Sequence, residues 1–126
     1  MIDETTKGYI IRNGGGTFSP IDGQPIEARD GYWVGAAKGT ALKLTADQFA
    51  DLNESRLRSI LAEVAGGAGA RFAGAWVDED GSVHFDPTAW VETLDEALKL
   101  ATENEQIAIW DIALDGPISV DDKVVL

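Results

Sequence analysis

The chain of 126 residues contains no cysteine, one histidine and one methionine. Without thiols it can form neither disulfides nor thiolate nucleophiles, and this composition fits a reducing compartment. One histidine leaves no second imidazole for a zinc site. No apolar run approaches the roughly 20 residues of a membrane-spanning helix. The opening Met1-Ile2-Asp3-Glu4-Thr5-Thr6 is nothing like a signal peptide. The expectation is a cytoplasmic protein without membrane contact. At 44% hydrophobic residues the chain supports one core, and it is too short for two ordinary domains.

Basic residues are scarce, and unevenly so. Residues 1–44 balance five acids against five bases, so the formal net charge of −12 belongs wholly to residues 45–126. The last 55 residues hold 13 acids against Lys99 and Lys123. Such a surface repels phosphates, which argues against direct nucleic-acid binding, and it attracts a basic protein partner. Solubility alone is the plainer use of the same charge.

The most legible stretch is residues 72–114. Phe72 to Val77 is apolar and partly aromatic, Asp78-Glu79-Asp80-Gly81 supplies turn chemistry, and Ser82 to Phe85 alternates polar with apolar, which together predict a β-hairpin. Thr93 and Glu96 form a capping box, after which Leu94, Ala97, Leu98 and Ala101 make one apolar helical face. Asn104 is the expected left-handed cap. Ile107 to Leu114 is apolar on both parities apart from Asp111, so it reads as a strand covered on both faces and central in its sheet. The whole is a ββαβ module.

The front half, residues 1–71, is less regular. Lys7 to Arg12 reads as a short strand, Asn13-Gly14-Gly15-Gly16 as a turn or mobile loop, and Thr17 to Ile26 as irregular or edge structure. Tyr32-Trp33-Val34 begins a strand that ends near Gly35. Thr45 with Gln48 makes a second capping box. The break in apolar spacing between Leu52 and Leu57 predicts two short helices, or one kinked at Asn53, over residues 45–65. Gly66-Gly67 stops the helix, and Gly69 keeps the next linker flexible.

Pro87 to Val120, with TLDEALKLATENEQIAIWDI at its heart, resembles the ending of small accessory proteins encoded by actinobacterial phages and related mobile elements. GTFSPIDGQPIEARDGYWVG, residues 16–35, is similar to their Gly-rich opening. The resemblance implies a viral or mobile-element protein working in a bacterial cytoplasm, and it brings no residue roles.

Constellations that carry chemistry are weak. Gly14-Gly15-Gly16-Thr17 lacks a P-loop lysine, and Lys38-Gly39-Thr40 has the wrong order for one. An EF-hand loop aligned on Gly81 would put Trp76 and Pro87 where carboxylates are required. His84 and Asp86, two apart on a strand, share a face and can pair, but no nucleophile accompanies them. Adjacent acids such as Asp95-Glu96 and Asp121-Asp122 point apart and read as solvated charge. Neither metal nor cofactor is expected.

Four tryptophans lie in or beside predicted strands: Trp33, Trp76, Trp90 and Trp110. Burial in the core is the expectation for most of them. Trp90 is the candidate for exposure, since it follows Asp86-Pro87-Thr88-Ala89, a segment that reads equally as strand or single helical turn. With Asp86 and Glu92 as an acidic rim, and Asp78, Glu79 and Asp80 at the hairpin turn, it outlines a protein-binding surface.

The expected fold is a single α+β domain spanning 1–126: a mostly antiparallel sheet of about four to six strands with helical segments 45–65 and 93–103 packed on it. The leading function is a non-enzymatic acidic interaction protein. A DNA mimic that occupies a phosphate-binding groove is the second expectation, and a small enzyme using His84 the third.

Overall fold

Thr5 sits in extended backbone and its hydroxyl accepts from the Gly8 N–H at 3.0 Å, which starts helix α1, Thr6–Asn13. Gly14 ends the helix at φ 75°, returning its N–H to the Ile10 carbonyl at 2.8 Å. The segment expected as a strand is therefore helical. Tyr9, Ile10 and Ile11 favour strand by propensity, but caps at both ends and complete burial of Ile10 outweigh that preference. The computed structural model describes residues 5–38, 41–67 and 70–120. The readings placed on Gly39-Thr40, Gly69 and Asp121-Asp122 lie outside the described residues.

Three strands follow: β1, Gly15–Phe18; β2, Tyr32–Gly35; and β3, Leu42–Leu44. The glycine run is thus a helix cap leading into a strand. Both halves of the Thr45–Gln48 capping box are present and open α2, Ala46–Ala50. The Asn53 side chain accepts from the Arg56 N–H at 2.8 Å, which separates α2 from α3, Glu54–Gly67. Helices in residues 45–65 are accordingly two, as the broken spacing predicts.

The module follows with β4, Phe72–Val77; β5, Val83–Val91; α4, Leu94–Glu103; β6, Ala108–Asp111; and a further strand β7, Gly116–Ser119. The hairpin turn is Asp78 chemistry. Its carboxylate accepts from the N–H groups of Asp80 and Ser82 at 2.9 and 3.1 Å, and Gly81 takes φ 82°. Segment 86–89 is extended throughout, inside the nine residues of β5.

The fold is α+β, a seven-stranded antiparallel sheet in the order β1-β4-β5-β2-β6-β7, with β3 also paired to β5. This exceeds the expected four to six strands because β1 and β3 are too short to show in the sequence and β7 follows a turn that the apolar run masked. β5 and β6 are parallel to each other but not neighbours, since β2 is inserted between them. β2 and β3 line one edge of β5, with Ala36 and Ala41 between them donating to the carbonyls of Pro87 and Phe85. Pro87 points its nitrogen into that gap, on the side where its carbonyl accepts from the Ala36 N–H at 2.9 Å, so no ladder donor is lost.

The four described helices, α1 to α4, lie on one face of the sheet. Alternation along β5 sends Val83, Phe85, Ala89 and Val91 to that face. There α1, α2 and α3 enclose Ile10, Phe18, Phe49, Leu57, Leu61 and Phe85, while α4 seats Ala97 and Ala101 against Val34 and Ile109. Val34 is paired with Ala89, so the second cluster extends the same layer. Each fully buried Leu or Phe contributes about 1.5 to 3 kcal/mol.

Two expectations fail in the C-terminal half. Residues 107–114 are not a strand covered on both faces: β6 spans four residues, Ile107 and Leu114 are 82% and 77% exposed, and Asp111 turns its carboxylate to the Leu114 N–H at 3.2 Å. The second face has no layer over it among the described residues. The left-handed residue after α4 is Glu105, at φ 55°, rather than Asn104, at φ −99°. Asn104 instead donates to the Gly35 carbonyl at 3.3 Å, tying the helix end to β2.

The outer sides of β1 and β7 each carry proline. Pro25 bridges to Phe18 outside β1. On β7, Val120 donates inward to Ile107, so by alternation the nitrogen of Pro117 points outward. Among the described residues no helix is long and apolar enough to cross a membrane.

Candidate binding cleft

The face turned away from the helices is built by the other parity of each strand. Register places Trp90, Trp33, Trp110 and Pro117 directly opposite one another across β5, β2, β6 and β7. At ~4.8 Å per strand this row is roughly 14 Å wide. At the far end of β5, six residues or roughly 20 Å away, Trp76 stands opposite His84. Four tryptophans distant in sequence therefore share one sheet surface.

Between these ends the surface is low. Gly74 lies beside Asp86, and Gly35 beside Thr88. A Cβ on Gly74 would overlap the Thr88 hydroxyl, and one on Gly35 would overlap the Gln106 amide. The two glycines thus admit polar side chains onto an otherwise apolar floor. The result is a cleft of about 1140 Å³ lined by Trp33, Trp76 and Trp110, with residues 26–29 along one wall and Gln106, Ile107, Ile112 and Asp115 among its other lining residues. A smaller depression of about 370 Å³, lined by Leu42, Ile60, Glu63, Val64 and Pro87 among others, lies on the helix side.

Burial of the tryptophans departs from expectation. Trp76 is 47% exposed, and Trp90 and Trp110 are each 40% exposed. Core space is taken by Ala73 and Ala75, the neighbours of Trp76 on the opposite parity, which let α3 approach closely. Trp33 is held edge-on to Phe72 with centroids 5.4 Å apart. Trp90, the sequence candidate, lies on the same face but is not a cleft-lining residue. Its indole donates to the Asp30 carbonyl at 2.9 Å, and its ring occupies the space that a side chain on Gly31 would need.

Asp86 is the half-buried carboxylate of the cleft. It accepts from the Ala41 N–H and from the Trp76 indole, each at 3.3 Å. Burial raises its pKa above the ordinary carboxylate value, an effect opposed by the hydrogen bonds from Ala41 and Trp76. His84 and Asp86 share one face of β5, as their spacing predicts, and His84 acts electrostatically to lower the Asp86 pKa. His84 Nε2 lies 2.8 Å from Asp78 Oδ2, while its ring stacks on Trp76. That bond is the main cause holding the Asp78 pKa below its ordinary value. Asp78, His84, Trp76 and Asp86 form a chain along the hairpin.

Of the residues singled out in the sequence, Asp86 and Trp90 share the open face, four residues apart along β5. Glu92 follows the strand as an exposed residue, and Glu79 and Asp80 are exposed at the hairpin turn. No local pattern joins Trp33, Trp110 and Gln106, because only the insertion of β2 between β5 and β6 unites them. The available signal was parity: Phe72, Gly74 and Trp76 alternate with the small residues Ala73 and Ala75. Among the described residues no group of three or more His, Asp or Glu is placed to hold a metal ion. Comparison with protein-family models, curated proteins and solved structures finds no match.

Proposed function

We propose that this chain is a non-enzymatic interaction protein that docks a protein partner on the open, tryptophan-lined face of its sheet, and that it serves a phage or mobile element in the bacterial cytoplasm. The observation that carries this reading is the cluster of exposed Trp76, Trp110 and Ile107 around a concave surface that no described residue covers. Exposed apolar surface of this kind is costly to leave in water, and tryptophan is enriched among the residues that dominate binding energy.

Catalysis finds less support. The His84 side chain is only 12% exposed, one ring nitrogen is engaged by Asp78, and the ring face is covered by Trp76. DNA mimicry would use the acids of the helical layer, but Arg56, Arg58 and Lys99 interrupt them and Arg56 pairs with Glu63 at 3.7 Å.

Partner capture from host extract, with the wild type, Trp110→Ala and Lys99→Ala compared side by side, tests the reading. Lys99 lies on α4, behind the sheet. A partner retained by Lys99→Ala and lost by a folded Trp110→Ala is the expected result. The same partners bound equally by all three would overturn it.

A further inference from the structure

The chemistry lining the cleft selects a class of partner. Three indoles line it: Trp33 and Trp110 stand side by side on neighbouring strands, and Trp76 has one ring face stacked on His84. Two acceptors reach the floor. Asp86 brings a carboxylate, and Gln106 has its Nε2 committed to the carbonyls of Ala37 and Asn104, leaving Oε1 over Gly35. Among the charged lining residues the acids Glu27, Asp86 and Asp115 outnumber the one base, Arg29. The formal charge of −12 gives the chain as a whole the same sign. A second copy of this chain would meet that charge with its own acids, and nucleic acid would meet it with phosphates.

We propose that the cleft receives an extended, arginine-bearing segment of a basic protein, its guanidinium groups laid against the tryptophan faces and hydrogen-bonded to Asp86 and the Gln106 carbonyl oxygen. This rests on the reading of the open face as the docking surface. Guanidinium suits the site better than ammonium because it is planar, stacks on indole, is weakly hydrated and directs several N–H donors within one plane. Asp86, whose burial disfavours its charge, regains a counter-ion when the segment binds. Dimensions favour a segment over a small molecule. About 1140 Å³ exceeds the roughly 300 to 1,000 Å³ of ordinary small-ligand pockets. A run of roughly 20 Å accommodates about six extended residues, alternate side chains of which face the floor.

The test uses the full chain and the peptide acetyl-Arg-Gly-Arg-Gly-Arg-Gly-amide, titrated calorimetrically at low salt beside its Lys-for-Arg counterpart. Saturable binding is expected, with the lysine peptide weaker by about threefold or more. Asp86→Asn and Trp110→Ala, each verified as folded by circular dichroism, should weaken the arginine peptide by about tenfold. If Asp86→Asn does not fold, Gln106→Ala replaces it with the same expectation. Absence of saturation at about 1 mM peptide overturns the proposal. So do equal affinities for the two peptides with no effect of either substitution, which is attraction by net charge alone. A captured partner that depends on Trp110 yet is not displaced by the arginine peptide leaves the docking face standing and refutes its arginine specificity.

Discussion

His84 and Trp76 lie face to face, their ring centroids 3.9 Å apart and their planes 7° from parallel. They are directly opposed on β4 and β5, and His84 also holds Asp78 at the turn that joins those strands. One histidine therefore braces the hairpin from two sides. His84→Ala removes both contacts and should cost about 1 to 2 kcal/mol in urea unfolding. His84→Phe keeps the stack and loses only the polar contact, so it should cost less. Equal losses for the two variants would show that the stack contributes nothing.

Acid dependence separates the two carboxylates of that chain. Asp78 has a lowered pKa, caused first by the hydrogen bond from His84, so it stabilises the fold above the ordinary value of 3.8 and loses this contribution as pH falls through its folded pKa. Asp86 is raised by burial, so its effect has the opposite sign: stability is lost as pH rises from 3.8 through the folded pKa. Thermal melts of Asp78→Asn should fall furthest below wild type near neutrality and converge with it in acid. Asp86→Asn should do relatively better as pH rises above 3.8. Parallel curves for wild type and Asp86→Asn across that window would remove the burial effect.

The polar floor of the cleft rests on one exchange of volume. Thr88 fills the space that Gly74 lacks, and its hydroxyl donates back to the Asp86 carbonyl at 3.2 Å. Gly74→Ala should destabilise by about 1 to 3 kcal/mol through overpacking, and much less when Thr88→Ala is already present. A double-mutant cycle by urea unfolding reads this coupling. Additive effects would mean that the two positions do not compete for space.

Local chemistry was legible where a side chain bonds its own backbone neighbours. Thr45, Asn53, Asp78 and Thr93 each do so, and each marks an element boundary that the sequence already showed. Helix α1 was not legible, because eight residues rich in aromatic and β-branched side chains are helical only when capped by Thr5 and Gly14 and packed against α3 and β1. Leu98 illustrates the same limit. It is only partly buried, while Ala97 and Ala101 sit at the centre of the α4 contact, where β2 approaches too closely for larger side chains. The cleft was least legible of all. Asp86 and Trp90 were visible along one strand, but Trp33, Trp76 and Trp110 converge only through a strand order that no local rule encodes.

Pro25 and Pro117, at opposite margins of the sheet, decide how other chains can approach it. A foreign strand adding beside β1 or β7 would meet a ring nitrogen with no hydrogen to donate, so these two margins are poorly suited to growing sideways into fibrils or swapped assemblies. At those two margins contact is left to side chains, whose shape and charge are open to change one residue at a time without rebuilding the strand pairing beneath.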